Sequence, residues 1–317
     1  MDDKQKKIIE LFSPHYLERQ QYINANNIKF VQYTSAEAAM SIIKNKEVWL
    51  RNCLCMNDFS EVEHGLDCLI NAFSRGEQSS PFQTTLESIF PGIIKEFADI
   101  FDSWIPTFKS STFIACVSEH PPEEDQYGRL SMWRAYGGNR GVALVLNKEP
   151  FLAESDAFHA YTNPVLYKDS EGFYKDFGAL TERLEQEKEF LLELGKDTVV
   201  NILFNIFKNT ALSLKHPGFI EEREWRVVYS PSIMKSDYVE SDIEVIDKVP
   251  QRVHKIPLKD IPEENFYGAT VPKFIDKIII GPTEHQSVMQ QTFIELLTEA
   301  GDENAQEKVI VSGIPLR

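Results

Sequence analysis

The sequence predicts an α+β fold with a mixed or antiparallel sheet at its core. Strand-like stretches cluster toward both ends of the chain, on either side of a helical middle section. They do not alternate with helices in the regular βαβ pattern of a doubly wound fold. RGVALVLN (140–147) is also too apolar for an exposed strand, which places it centrally in a sheet.

Each element has its own signal. Ile8, Ile9, Phe12, Tyr16 and Ile23 form an apolar stripe that predicts a helix over 2–24. A strand follows at 28–34. Ser35 then caps a helix running to Asn45, with Glu37 and Ala38 in its first turn. EVWLRN (47–52) reads as a strand, and a helix starts near Phe59 or Ser60. Prolines 81, 91 and 106 punctuate a helical insertion over 76–111. STFIACVSE (111–119) alternates as a strand does, and HPPEEDQYG (120–128) reads as a mobile, solvated loop. LSMWRAYGG (130–138) is a short helix ended by a glycine pair. Further strands are predicted at 159–168, 223–230, 251–257, 275–281 and 308–312. Two long helices fill 170–215 and a last one spans 284–300. The expected organisation is a helical segment over 1–27, then a single domain over 28–317 with helical insertions at about 60–110 and 170–215.

Composition narrows the function classes. The chain has 317 residues, 42% hydrophobic and 26% charged, as a water-soluble domain with a real core requires. The most apolar stretch, 199–214, is broken by Asn201, Asn205, Lys208 and Asn209, so no membrane span is expected. Four cysteines (Cys53, Cys55, Cys68, Cys116) fit neither a disulfide framework nor a zinc site, and the N-terminus lacks a signal-peptide pattern. A reduced, cytoplasmic protein without a bound metal is expected. The net charge of −16 repels nucleic acid over most of the surface, while leaving room for a locally basic pocket that takes one nucleotide. No G-x-G-x-x-G after a strand, no P-loop and no G-x-S-x-G elbow occurs.

Five stretches are candidates for chemistry. In QYTS (32–35), Tyr33, Thr34 and Ser35 offer hydroxyls at a helix start, although a plain helix cap is the simpler explanation. In LRNCLCMNDFSEVEHG (50–65), Asn57 and Asp58 turn the chain, Ser60 and Glu63 form a capping box, and Arg51 shares a strand face with Trp49. A guanidinium buried there needs a carboxylate or phosphate partner. Trp133 and Tyr136 lie on one face of a helical turn, as core aromatics or as a stacking surface. In HPGFIEEREWRVVY (216–229), strand alternation sets Arg223, Trp225, Val227 and Tyr229 against Glu222, Glu224, Arg226 and Val228. The second face is either a solvated Glu–Arg ladder or the lining of a cleft in which Arg226 orients Glu224. IIIGP (278–282) ends a central strand and carries no assigned chemistry.

Taken together, YTS, VWLRN, MNDFSEVEHG, FIACVSE, LSMWRAYGGNRGVALVLN, KHPGFIEEREWRVVY, IIIGP and the terminal SGIPLR resemble a bacterial family catalogued as a domain of unknown function, number 2971. Its asparagine–aspartate–x–x–glutamate run is Asn57, Asp58 and Glu61 here, and Phe59 stands where many relatives have proline. More distantly, the layout resembles prokaryotic ADP-ribosyltransferase-like toxins: a strand ending in a hydroxyl residue, a helix, a strand with arginine, and a late strand with glutamate. Tyr33 takes the first position, where that superfamily often has arginine or histidine. This resemblance implies a split-sheet fold and an enzyme that consumes NAD as its substrate. It implies catalytic roles for Glu224, Tyr33 and Arg51, with Thr34, Ser35, Asn57, Asp58, Trp133, Tyr136 and Arg226 binding the dinucleotide. It also implies a toxin or phage-defence (abortive infection) setting, a nucleic-acid or protein acceptor, and an antitoxin or defence partner. Two alternatives stand beside it. One is a non-catalytic module sensing a nucleotide or phage component; the other is a metal-dependent nuclease using Asp58, Glu61 and Glu224.

Overall fold

The structure is a computed structural model, and residues 2–55, 60–74 and 80–315 are described. The chain divides into two compact units. One comprises residues 1–19, 53–112 and 163–220; the other comprises 20–52, 113–162 and 221–317. Both helical insertions foreseen from the sequence thus fall in the first unit, with the first residues of the chain.

The described strands are β1 (Lys29–Ser35), β2 (Glu47–Asn52), β3 (Phe113–His120), β4 (Gly141–Leu146), β5 (Ala160–Pro164), β6 (Leu166–Tyr167), β7 (Leu214–Lys215), β8 (Glu224–Tyr229), β9 (Glu240–Ile246), β10 (Val249–Pro257), β11 (Ile275–Ile280) and β12 (Val309–Val311). Ten of them form one sheet, along the path β12-β11-β4-β1-β3-β2-β10-β9, with β8 on β3 and β5 on β8. The pairing is mainly antiparallel, β11 with β12 being parallel, so the expected α+β fold with a mixed sheet is observed.

The sheet branches at β3. Ser118 pairs with both Val31 and Glu224, and Ile114 with both Arg51 and Val228. β8 therefore holds one edge of β3, while β1 and β2 share the other and part between its two ends. Helix Ala36–Asn45 joins β1 to β2. Ser35 caps that helix as the sequence requires, its Oγ accepting the Ala38 N–H at 3.2 Å.

Alternation then sorts the sheet's two faces. Leu50, Phe113 and Tyr229 lie on one face and pack with Phe158, Ile261 and Phe266. On the same face the edge of Trp225 meets Phe30 at 5.4 Å. The opposite face carries Val31, Tyr33, Ala143, Val145 and Ile279, which pack against Met132 and Trp133. β4 is buried at every position, which is why it reads as an uninterrupted apolar run.

The first unit is helical, with a core built on phenylalanine. Phe73, Phe82, Phe97 and Phe177 all contact the Phe207 ring, at 4.7 to 6.0 Å between centroids. Helix Ser60–Ser74 crosses helix Lys196–Ser213 closely at Gly65. A Cβ there would stand 2.4 Å from the Ala211 carbonyl oxygen.

Several sequence expectations are corrected. The N-terminal helix breaks into Asp3–Phe12 and Pro14–Ala25, because Pro14 has no N–H to continue the ladder and serves as a first-turn residue instead. Three helices replace two over 170–213: Ser170–Gln186, Lys188–Leu194 and Lys196–Ser213. The acidic β9 was not foreseen. It turns into β10 through Asp247 and Lys248, both at positive φ (52° and 68°) without the glycine that usually marks such a turn. The loop after β3 is not loosely solvated, since it is tied down by the ion pairs described next.

Candidate functional site

The charged residues of β8 are not a solvated ladder. Glu224 and Arg226 are buried and locked to each other: Arg226 Nε donates to Glu224 Oε1 at 2.8 Å and Nη2 to Oε2 at 3.3 Å. The expectation that Arg226 orients Glu224 therefore holds, in a dry setting. The bidentate geometry offsets part of the cost of burying both charges.

Register brings more of the candidate residues to this face. Positions paired across strands share a face, so Arg51, Ile114, Cys116, Ser118, Glu224, Arg226 and Val228 line one side of the sheet. Val31 and Tyr33 join it through β1. It continues across β2 and β10: Arg51 Nε donates to Gln251 Oε1 at 3.2 Å, and Lys255 sits 5.2 Å over the Trp49 ring. Trp49 in turn donates its indole N–H to Glu47 at 2.8 Å. Strand spacing and rise put the Arg51 and Glu224 α-carbons on the order of 16 Å apart. That separation suits a long ligand with polar groups at both ends.

The aromatic candidates do structural work. Tyr33 is buried and its hydroxyl accepts the Arg129 N–H at 2.6 Å. Burial pushes its pKa up to about 12, so the phenol stays protonated. Its ring meets Trp133 edge-on at 4.8 Å, and the Trp133 indole N–H donates to the Tyr127 carbonyl at 2.8 Å. Gly128 fits between them at φ 67°; a Cβ there would lie 2.9 Å from both the indole nitrogen and the phenol oxygen. Trp133 is thus an interlocked core residue and offers no open face for stacking. It begins a single π-helical turn, Trp133–Gly137. Tyr136, on that turn, is half-buried and donates to Glu222 Oε1 at 3.1 Å.

Thr34 alternates onto the opposite face from Tyr33, away from Glu224. Ser35 spends its hydroxyl on the helix cap. Asn57 and Asp58 lie outside the described residues, as does Phe59. Among the described residues no cluster of His, Cys, Asp and Glu has metal-binding geometry, and the carboxylate of Glu224 is already taken by a guanidinium.

Arg129 was not foreseen, although it organises this end of the sheet. Its Nε and Nη2 bond both Glu124 oxygens, at 3.0 and 2.9 Å. Nη1 donates to the carbonyls of Glu221 and Glu222 at 2.8 and 3.1 Å, and Nη2 to that of Glu119 at 2.7 Å. All five guanidinium N–H groups are used, and they fix the backbone leading into Glu224. The signal in the sequence was the acidic run Glu123-Glu124-Asp125 shortly before a lone arginine. Asp125 bonds buried His120 at 2.9 Å and Lys277 at 2.7 Å. Burial opposes its charge, but those two partners outweigh it and hold the Asp125 pKa below its usual value. Burial holds the His120 pKa low.

Arg51, Tyr136 and Glu222 are half-buried. Beside them stands the dry Glu224–Arg226 pair. No curated protein and no solved structure matches the chain. Residues 132–227, which carry the π turn, β4 and most of β8, match the model of a family described as protein of unknown function (DUF2971).

Proposed function

We propose that the protein cleaves NAD and transfers ADP-ribose to a macromolecular acceptor, as a bacterial toxin or phage-defence effector, with Glu224 as its catalytic carboxylate. The observation that supports this is the branch of the sheet. Where β1 and β2 part on β3, two guanidinium groups (Arg51, Arg226) and one fixed carboxylate (Glu224) share a face.

In this reading the C–N bond to nicotinamide breaks and its electron pair leaves with the base. The acceptor's nucleophile closes the new bond at the ribose carbon and releases its proton. Positive charge develops on the sugar as the base departs. Glu224, desolvated and held by Arg226, meets it without reorganising. Arg51 holds the pyrophosphate through charge-assisted hydrogen bonds. Tyr136 and Glu222 meet ribose hydroxyls. Tyr33, Ser35 and Trp133 act through the fold.

The test is incubation with NAD and detection of free nicotinamide. Glu224→Gln keeps an oxygen for Arg226 and lowers the rate by about 10²–10³. Equal rates for wild type and a folded Glu224→Gln protein would remove Glu224 from the chemistry. A second reading, a nucleotide-binding module without turnover, is favoured by the engagement of both Glu224 oxygens with Arg226. Tight binding of unaltered NAD would select it.

A further inference from the structure

Strand β9 ends the sheet, and among the described residues it pairs only with β10. Its two-residue turn closes on the pair Ile246–Val249, so ladder hydrogen bonds alternate from there. Ser241, Ile243 and Val245 then direct their N–H and C=O groups away from β10. Two details agree. The Ile243 N–H is met by the carboxylate of Asp242 at 2.8 Å rather than by β10, and Pro250, opposite Val245, has no N–H to give.

The side chains along this edge are unusual for a free strand. Ile243 and Val245 are 64% and 67% exposed, on one face. Glu240, Asp242 and Glu244 line the other. Lys255 meets Glu47, Asp242 and Glu244 at 3.8, 3.2 and 2.7 Å, so three carboxylates face one ammonium and leave a charge of −2. A second copy of this chain would bring the same carboxylates to the same edge, and like charges across a pair are disfavoured.

We infer that β9 is a docking edge for an extended segment of a partner protein in which basic side chains alternate with aliphatic ones. Backbone bonds from Ser241, Ile243 and Val245 hold the segment. Its aliphatic side chains cover Ile243 and Val245, and its basic ones meet Glu240, Asp242 and Glu244, freeing the Ile243 N–H from Asp242. This inference does not depend on the reading of NAD cleavage.

Fluorescence anisotropy with a labelled Lys-Val-Lys-Ile-Lys-Val-Lys peptide tests it. The full chain binds this peptide at least tenfold more tightly than a peptide of the same composition with lysines and aliphatics in separate blocks. Val245→Pro removes an outward N–H without touching the β10 ladder and weakens binding at least tenfold. Should that variant unfold, the double substitution Asp242→Lys with Glu244→Lys gives the same loss. Equal binding of the two peptides, unchanged binding by a folded Val245→Pro protein, or self-association through β9 in place of peptide binding would each overturn the proposal.

Discussion

Arg129 and Glu224 are both buried charges, yet they respond differently to substitution. Arg129→Ala leaves the Glu124 carboxylate to the more exposed Arg223, 3.3 Å away, and uncovers three carbonyls, so about 3 kcal/mol should be lost in urea unfolding. Arg129→Lys recovers only part, because an ammonium cannot span both Glu124 oxygens and the strand carbonyls. Glu224→Ala leaves Arg226 buried without this carboxylate, and for that reason Glu224→Gln is the cleaner probe of chemistry. His254 gives a pH signature. Burial, with Arg252 and Lys235 adding to it, holds its pKa at about 4 in the folded protein, against 6.5 ordinarily. Between those values the unfolded chain takes up a proton that the native protein refuses, so stability falls as pH drops from 6.5 toward 4, by up to about 3 kcal/mol. Melting curves across that range should show His254→Phe losing less than wild type. At this scale period-two alternation set Glu224 beside Arg226, and Arg51 beside Trp49, because it fixes which side chains share a face. It missed Arg129 and Gln251, whose partners lie far away in sequence and are set by tertiary packing.

Among the elements, strands with strong alternation or long apolar runs were legible: β1, β2, β4, β8 and β11 fall close to their expected spans. β9 was not, because Glu240, Asp242 and Glu244 resemble a solvated loop, and its turn lacks the expected glycine or asparagine. The anchors of the loop at 120–128 were hidden for a related reason. Acidic residues read as solvated until the partners that hold them, Arg129, His120 and Lys277, are known. Helix crossings are equally invisible in a sequence. Gly65→Ala improves helix propensity by about 1 kcal/mol. It nevertheless sets a methyl group against the Ala211 backbone. A net loss of about 1–3 kcal/mol in equilibrium unfolding is expected. An unchanged or raised stability would mean that the two helices separate at little cost.

For the whole molecule, the charge of −16 disfavours polyanions over most of the surface. The buried guanidinium groups of Arg226 and Arg129 are each matched by a carboxylate, Glu224 and Glu124. No described helix is long and apolar enough to cross a membrane. Expression of the wild-type chain in bacteria should slow growth, and Glu224→Gln at the same protein level should relieve it. Equal toxicity of the two would detach any growth effect from the proposed chemistry. The most direct measurement is a structure determined with NAD bound. The account predicts the nicotinamide ribose beside Glu224 and the pyrophosphate on Arg51, along the face shared by β8, β3 and β2. NAD bound elsewhere, or no binding at millimolar NAD, would contradict it.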